Sequence, residues 1–264
     1  MTEPGDGARL VEEVAVVTGG ASGIGLAIVR RLVAEGAHVV VGDTDQTRLE
    51  AFRTELGEVA VSYRRCDVRQ ESEVAELVAS AVRAHGRLTL GFNVAGLARA
   101  APLEELTVDQ WDSTVDVCLK GVFLSTKHEG RQMLGQGGGA IVNVASIMAS
   151  MPSRGSAAYS AAKAGIVMLT RSAAMEWGDR GVRVNSISPG VTNTPAVAPV
   201  IDDPERIAPF LARIPFGRVA TADEIAAAAV FLASGEASYM SGADLVIDGA
   251  LSTTGYPYAR TPSS

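Results

Sequence analysis

Short β-branched runs alternate with longer Ala-rich or amphipathic segments along nearly the whole chain, and this rhythm restricts the fold more than any other feature. The extended runs are 14–19 (VAVVTG), 38–43 (HVVVGD), 59–65 (VAVSYRR), 88–96 (LTLGFNVAG), 140–146 (AIVNVAS), 182–188 (VRVNSIS) and 243–248 (ADLVID). Between them the pattern predicts helices over 23–35, 46–56, 71–85, about 107–134, about 156–178 and about 222–234. Strands that alternate with helices of this length form βαβ units and a parallel sheet. Near-continuous apolar strands belong in a sheet covered on both faces. The expectation is an α/β chain: one doubly wound, mostly parallel sheet of seven strands with helices on both faces.

No linker or composition break divides the 264 residues, so 1–264 reads as a single domain. Residues 1–11 and 254–264 read as tails. The stretch 189–220 is rich in proline and reads as an irregular, functional loop. Hydrophobic residues make up 47% and charged residues 20%, enough for a large core. A net charge of −7 with no basic block argues against nucleic acid as a partner. Two distant cysteines and three scattered histidines give neither a disulfide framework nor metal-ligand spacing, so no metal is expected. The N-terminus is polar and acidic and no apolar run approaches a membrane span, which makes the cytoplasm the expected compartment.

Two constellations carry chemistry. The first is TGGASGIG, 18–25, which follows the first strand and opens the first helix. Gly19, Gly23 and Gly25 let the backbone turn sharply and approach a ligand, and the helix N-terminus offers free N–H groups to a pyrophosphate. A plain tight turn is the competing reading. Asp43, at the end of the second strand, is placed to accept hydrogen bonds from a ribose diol and to repel a 2′-phosphate, so NAD rather than NADP is the expected cofactor. Asp67 and Val68, after the third strand, could flank the adenine.

The second constellation is Ser146 at the end of the fifth strand, Tyr159, and Lys163 four residues later. Positions i and i+4 share a helix face. A cation beside a phenol favours the phenolate, so such a pair can exchange a proton with an alcohol or ketone. A surface Tyr and Lys on an Ala-rich helix is the bland alternative.

With GD at 42–43, CDV at 66–68, NVAG at 93–96, YSAAK at 159–163, NSISPG at 185–190 and SGADLVIDGA at 241–250, the chain resembles the short-chain dehydrogenase/reductase family over nearly its whole length. That resemblance implies a Rossmann fold and an NAD-dependent hydride transfer between the nicotinamide and a secondary alcohol or ketone. Tyr159 would be the general acid/base, Lys163 would bind the nicotinamide ribose, and Ser146 would orient the substrate oxygen. Ser22 and Ile24 in the glycine turn, Asn93, Ala95, Gly96, Pro189, Gly190, Thr192 and Thr194 would complete the cofactor site. Residues 190–220 would be a substrate lid. Met148, Met151 and Val197 are substrate candidates, which suggests a mainly apolar substrate; Arg154, if it points inward, would admit an acidic one. The C-terminal strand implies a homotetramer or homodimer.

The match has three departures. Val94 stands where the family usually has a second Asn, Thr89 where it has an Asp, and Cys118 where a helical Asn usually holds a relay water. A thiol holds water poorly, and Asp116 would face another side of the helix. Three outcomes stay open: a relay through backbone carbonyls with activity kept, a slow enzyme, or an NAD-binding protein with little or no catalysis. Within the enzyme class, a 3-oxoacyl-carrier-protein-type reductase is the runner-up, and Asp43 argues against it.

Overall fold

The computed structural model describes residues 9–56 and 61–253. Its centre is a parallel sheet of seven strands: β1 Val14–Thr18, β2 His38–Asp43, β3 Val61–Arg65, β4 Leu90–Asn93, β5 Gly139–Val144, β6 Val182–Pro189 and β9 Asp244–Ile247. A small parallel pair, β7 Thr192–Asn193 and β8 Ala220–Thr221, lies between the last two in sequence. The helices are α1 Gly23–Ala34, α2 Gln46–Leu56, α3 Glu71–His85, α4 Val108–Val115, α5 Gly121–Gln136, α6 Ala157–Trp177, α7 Ala198–Ile201, α8 Pro204–Leu211 and α9 Ala222–Ala233. None among the described residues is long and apolar enough to cross a membrane.

The sheet order is β3-β2-β1-β4-β5-β6-β9. The chain therefore winds outward from β1 to β3, then returns to the other side of β1. That reversal opens a crevice at the carboxyl ends of β1 and β4, where open α/β sheets bind ligands. Side chains of β1 alternate between two cores: Ala15 and Val17 pack with α1 and α9, while Val14 and Val16 pack with α3 and α5. This two-sided burial explains why the strands read as unbroken apolar runs.

Three expectations need correction. Residues 9–11 are not tail: Leu10 is buried, and Arg9 pairs with Glu35 at 2.5 Å and Glu236 at 2.7 Å. The hydrogen bond from Arg9 holds the Glu35 carboxyl down at about 2. Residues 1–8 and 254–264, the rest of the expected tails, lie outside the described residues, as do 59–60 of the expected third strand. The long helix expected near 107–134 is broken by a π turn at Asp116–Lys120, which inserts one residue into the helical register. The irregular stretch contains α7 and α8. Asp203 caps α8 by accepting from Glu205 N and Arg206 N, and Pro204 takes a first-turn position where its missing N–H costs nothing.

A polar row runs through the carboxyl end of the sheet: Thr18, Asn93, Asn143 and Ser186 are register partners on successive strands. Asn93 Nδ2 donates to Asn143 Oδ1 and to Glu129 Oε2, both at 2.9 Å. Asn143 Nδ2 donates to Thr170 on α6. Glu129 is fully buried, and burial pushes its carboxyl up to about 8 against a smaller opposing effect of the Asn93 bond. The native chain thus holds a proton that an unfolded chain, with an ordinary carboxyl near 4.5, releases. The stabilisation is complete below the unfolded value and is lost as pH rises toward 8. Chemical denaturation of the wild type should show stability falling by roughly 1 kcal/mol per pH unit between these limits relative to Glu129→Gln. Parallel pH profiles for the two proteins would overturn this.

Candidate active site

A cavity of about 810 Å³ occupies the crevice. Gly19, Ser22, Gly23, Ile24 and Gly25 form one wall. Gly19 has φ +69°, and a Cβ there would lie 2.7 Å from the backbone of Ala95. Any other residue would force the turn away from β4. Ser22 is the N-cap of α1, but its side chain makes no capping bond and the first turn carries no acid. The first N–H groups of α1 are left without a side-chain partner beside the cavity, an arrangement that suits a phosphate.

Asp43 lines the same cavity. Its Oδ2 accepts from Ala21 N and its Oδ1 from Asp45 N, both at 3.0 Å. A carboxylate has about four acceptor sites, so two remain for a diol. Asp67 and Val68 also line it, yet Asp67 is already held by Arg69 through Nε at 2.9 Å and Nη2 at 2.6 Å. That hydrogen bonding keeps the Asp67 carboxyl below the ordinary range.

The opposite wall brings Ser146, Tyr159 and Lys163 together. Ser146 accepts from Met148 N at 3.2 Å, which anchors the turn leaving β5. Lys163 is 2% exposed and donates to the carbonyl of Val144 at 2.6 Å. Its Nζ lies 5.4 Å from the centre of the Tyr159 ring. The small residues around them have a packing role as well. Ala158 and Ala162 are buried, and a Cβ on Gly165 would come within 2.9 Å of Leu119. Bulk at these positions would push α6 off the sheet and the π turn.

Ala95, Gly96, Pro189, Gly190, Thr192 and Thr194 line the space between the two walls. A Cβ on Gly23 would meet Thr194 at 3.1 Å, so the glycine turn and the β6–β7 connection nearly touch. Met148 and Val197 line the far end with Val200 and Phe210.

Three candidate residues sit elsewhere. Asn93 is 1% exposed and spends its side chain on Glu129 and Asn143 beneath the cavity floor, so it does not line the cofactor space. Met151 packs with Ile147, Ile214 and Leu251 behind the wall rather than in it. Cys118 is fully buried within the π turn, and its thiol is already paired. It accepts from Leu97 N at 3.2 Å and donates to Leu97 O at 3.1 Å. Two further lining residues, Arg69 and Arg99, were not expected. Arg99 lies in LARA with no periodic or motif signal around it. Among the described residues no cluster of His, Cys, Asp or Glu could hold a metal ion.

Comparison with known proteins places the chain among dehydrogenases. A family model described as enoyl-(acyl carrier protein) reductase matches residues 19–252. D-threitol dehydrogenase of Mycolicibacterium smegmatis is 45% identical over 243 residues, covering 91% of this chain and 93% of the relative. Cis-4-hydroxycyclohexanecarboxylate dehydrogenase of Sinomonas cyclohexanicum is 44% identical over 246 residues, 92% of this chain and 98% of its own length. A 2,5-dichloro-2,5-cyclohexadiene-1,4-diol dehydrogenase of Sphingobium indicum is 38% identical over 243 residues, covering 91% and 96%. The crystal structure of gox2181 superposes with a TM-score of 0.89 at 36% identity, covering 94% of this chain and 98% of that one.

The Cys118 geometry predicts a local effect. Cys118→Ala removes both bonds to Leu97, and hydrogen exchange at the Leu97 amide should quicken by about fivefold to tenfold, as expected for one buried hydrogen bond. Cys118→Ser supplies a hydroxyl donor and acceptor and should stay closer to wild type. Wild-type protection of the Leu97 amide in Cys118→Ala would show that the thiol does not hold this loop.

Proposed function

The chain belongs to the short-chain dehydrogenase/reductase family, and from that premise we propose an NAD-dependent dehydrogenase of secondary alcohols with Tyr159 as its general acid/base. The observation that carries the reading is the convergence of Ser146, Tyr159 and Lys163 on the same cavity as the glycine turn and Asp43. The residues fit a dinucleotide. The α1 N-terminus receives the pyrophosphate, Asp43 the adenosine ribose diol, and Pro189, Gly190 and Thr194 flank the carboxamide end. Bound NAD supplies the hydride acceptor.

The remaining chemistry belongs to the side chains. Ser146 donates to the substrate oxygen and fixes its position. Tyr159 takes the hydroxyl proton as the carbon gives up hydride, leaving a ketone. The Lys163 ammonium, held by the Val144 carbonyl, sits beside the Tyr159 ring. Residues 190–220 cover the substrate. Cys118 supports the loop at Leu97 and is compatible with turnover, because its bonding needs are met without water.

Asp43 supports NAD over NADP: no cation pairs with it among the described residues, and a 2′-phosphate would meet an uncompensated carboxylate. The apolar side chains left exposed on α4, α5 and α6 (Val108, Phe123, Met168 and Met175) support self-association into a homodimer or homotetramer.

Reduction of NAD, followed at 340 nm, should be seen with at least one member of a panel holding threitol, cis-4-hydroxycyclohexanecarboxylate and cyclic diols. Tight NAD binding with no turnover on any alcohol, and no oxidation of NADH by the matching ketones, defeats the reading. Tyr159→Phe should lower kcat by about 10²- to 10⁴-fold and leave the NAD dissociation constant nearly unchanged. Asp43→Ala should weaken NAD and narrow the gap to NADP; an unaltered cofactor preference would remove Asp43 from its assigned role.

A further inference from the structure

We propose that the substrate end of the cavity is built for an alcohol that carries a carboxylate, received by Arg99 and Arg154. The proposal rests on the dehydrogenase reading above and names the substrate class for that site.

Both arginines line the cavity that holds Ser146 and Tyr159. They come from segments far apart in sequence that are joined at the rim. Ala101 N donates to Gly155 O at 3.1 Å, so the strand-to-helix connection after β4 is bound to the segment entering α6. Gly155 has φ +75°, and a Cβ there would lie 3.4 Å from the Ala101 carbonyl. Arg99 and Arg154 lie just before the two ends of this backbone bond. The first segment is held again by Cys118 at Leu97. The two guanidinium groups are thus presented by a pinned rim rather than by free loops.

Neither arginine has a hydrogen bond or ion pair among the described residues. The other arginine of the cavity, Arg69, is bound to Asp67 by two of its nitrogens. In a chain of net charge −7, two unpaired cations on one rim call for an anion.

The acids of the cavity do not meet them. Asp43 and Asp67 sit at the other end, beside β2 and β3, and among the described residues no acid lines the wall between Ser146 and Tyr159 or the lid. The cavity is polarised, with carboxylates where the ribose diol docks and free cations where the substrate enters. Met148, Val197, Val200 and Phe210 complete the substrate end with apolar surface. An apolar body with a hydroxyl at one end and a carboxylate at the other matches all three features. Guanidinium groups bind carboxylates through paired, charge-assisted hydrogen bonds.

The test compares cis-4-hydroxycyclohexanecarboxylate with its methyl ester, which keeps the ring and hydroxyl and removes the charge. In the wild type kcat/KM should favour the acid by about 10- to 100-fold, the range of one or two hydrogen bonds to a charged group. In Arg99→Gln/Arg154→Gln the acid-to-ester ratio should collapse toward one, through KM for the acid rather than kcat. Arg154→Lys should restore part of it.

Calorimetric titration of cyclohexanecarboxylate, which has no hydroxyl to oxidise, reads the same site without turnover. It should bind wild type with NAD present and lose about tenfold or more in the double variant. An ester used as well as the acid, or a ratio unmoved by the double variant, overturns the proposal. If no alcohol is oxidised at all, the dehydrogenase reading falls, and the calorimetry decides the carboxylate site by itself: retained binding in the double variant, or none in wild type, overturns it. Both arginines are exposed, so the variants should keep their fold, and a wild-type circular dichroism spectrum confirms it.

Discussion

A buried ammonium must be given a partner, and the partner given to Lys163 organises the site. The Nζ of Lys163 donates to the last carbonyl of β5, Val144, at 2.6 Å while the residue stays 2% exposed. That bond fixes the rotation of α6 about its axis. Once it is fixed, Tyr159, one turn earlier on the same face, must overlook the cavity. Ser146, two residues beyond Val144, is carried to the same place by the strand. The small residues along α6 make the bond reachable, since a larger side chain at Ala158, Ala162 or Gly165 would hold the helix too far from β5 and the π turn.

The three departures from the family pattern find local explanations that leave this arrangement intact. Thr89 accepts from Val14 N at 2.9 Å and donates to Val14 O at 3.1 Å, so a neutral hydroxyl aligns β1 with β4. Val94 packs against the core around β1 and also faces the cavity. Cys118 makes a similar reciprocal pair with Leu97. Thr89 and Cys118 each satisfy one backbone segment instead of reaching farther, and Val94 contributes packing alone. The π turn is part of the same solution, because it sets Cys118 inward against the β4–α4 connection while α5 continues toward the sheet.

Much of this could be read from the residues because the signals were local. Strand and helix identity follow from periodicity, and the glycine turn, Asp43 and YSAAK lie at positions that a parallel sheet must bring to one edge. The unread parts depend on contacts between distant segments. Asn93 looked like a cofactor ligand because it sits in NVAG, but only the register with Asn143 and the buried Glu129 shows where its amide goes. Met151 shares the flexible apolar character of Met148, and only Ala149 and Ser150 separate the one on the cavity wall from the other in a core cluster. The π turn leaves no trace in the hydrophobic pattern. Arg99 gains meaning only when Ala101 and Gly155 join the two rims.

The polar row beneath the cavity shows what a rigid floor costs. Asn93 Oδ1 and Glu129 Oε1 are buried without a hydrogen-bond partner among the described residues. Buried polar groups stabilise little unless every partner is present. What the row adds is position. Asn93 ties the end of β4 to α5 through Glu129, and Asn143 ties the end of β5 to α6 through Thr170. These are the strand ends from which Val94–Gly96 and Ser146 project, and α6 is the helix that carries Tyr159 and Lys163. A sideways slip of either helix would break directional bonds, whereas an oily interface would tolerate it. The buried Glu129 carboxyl and the reactive pair are therefore tied to the same two strands.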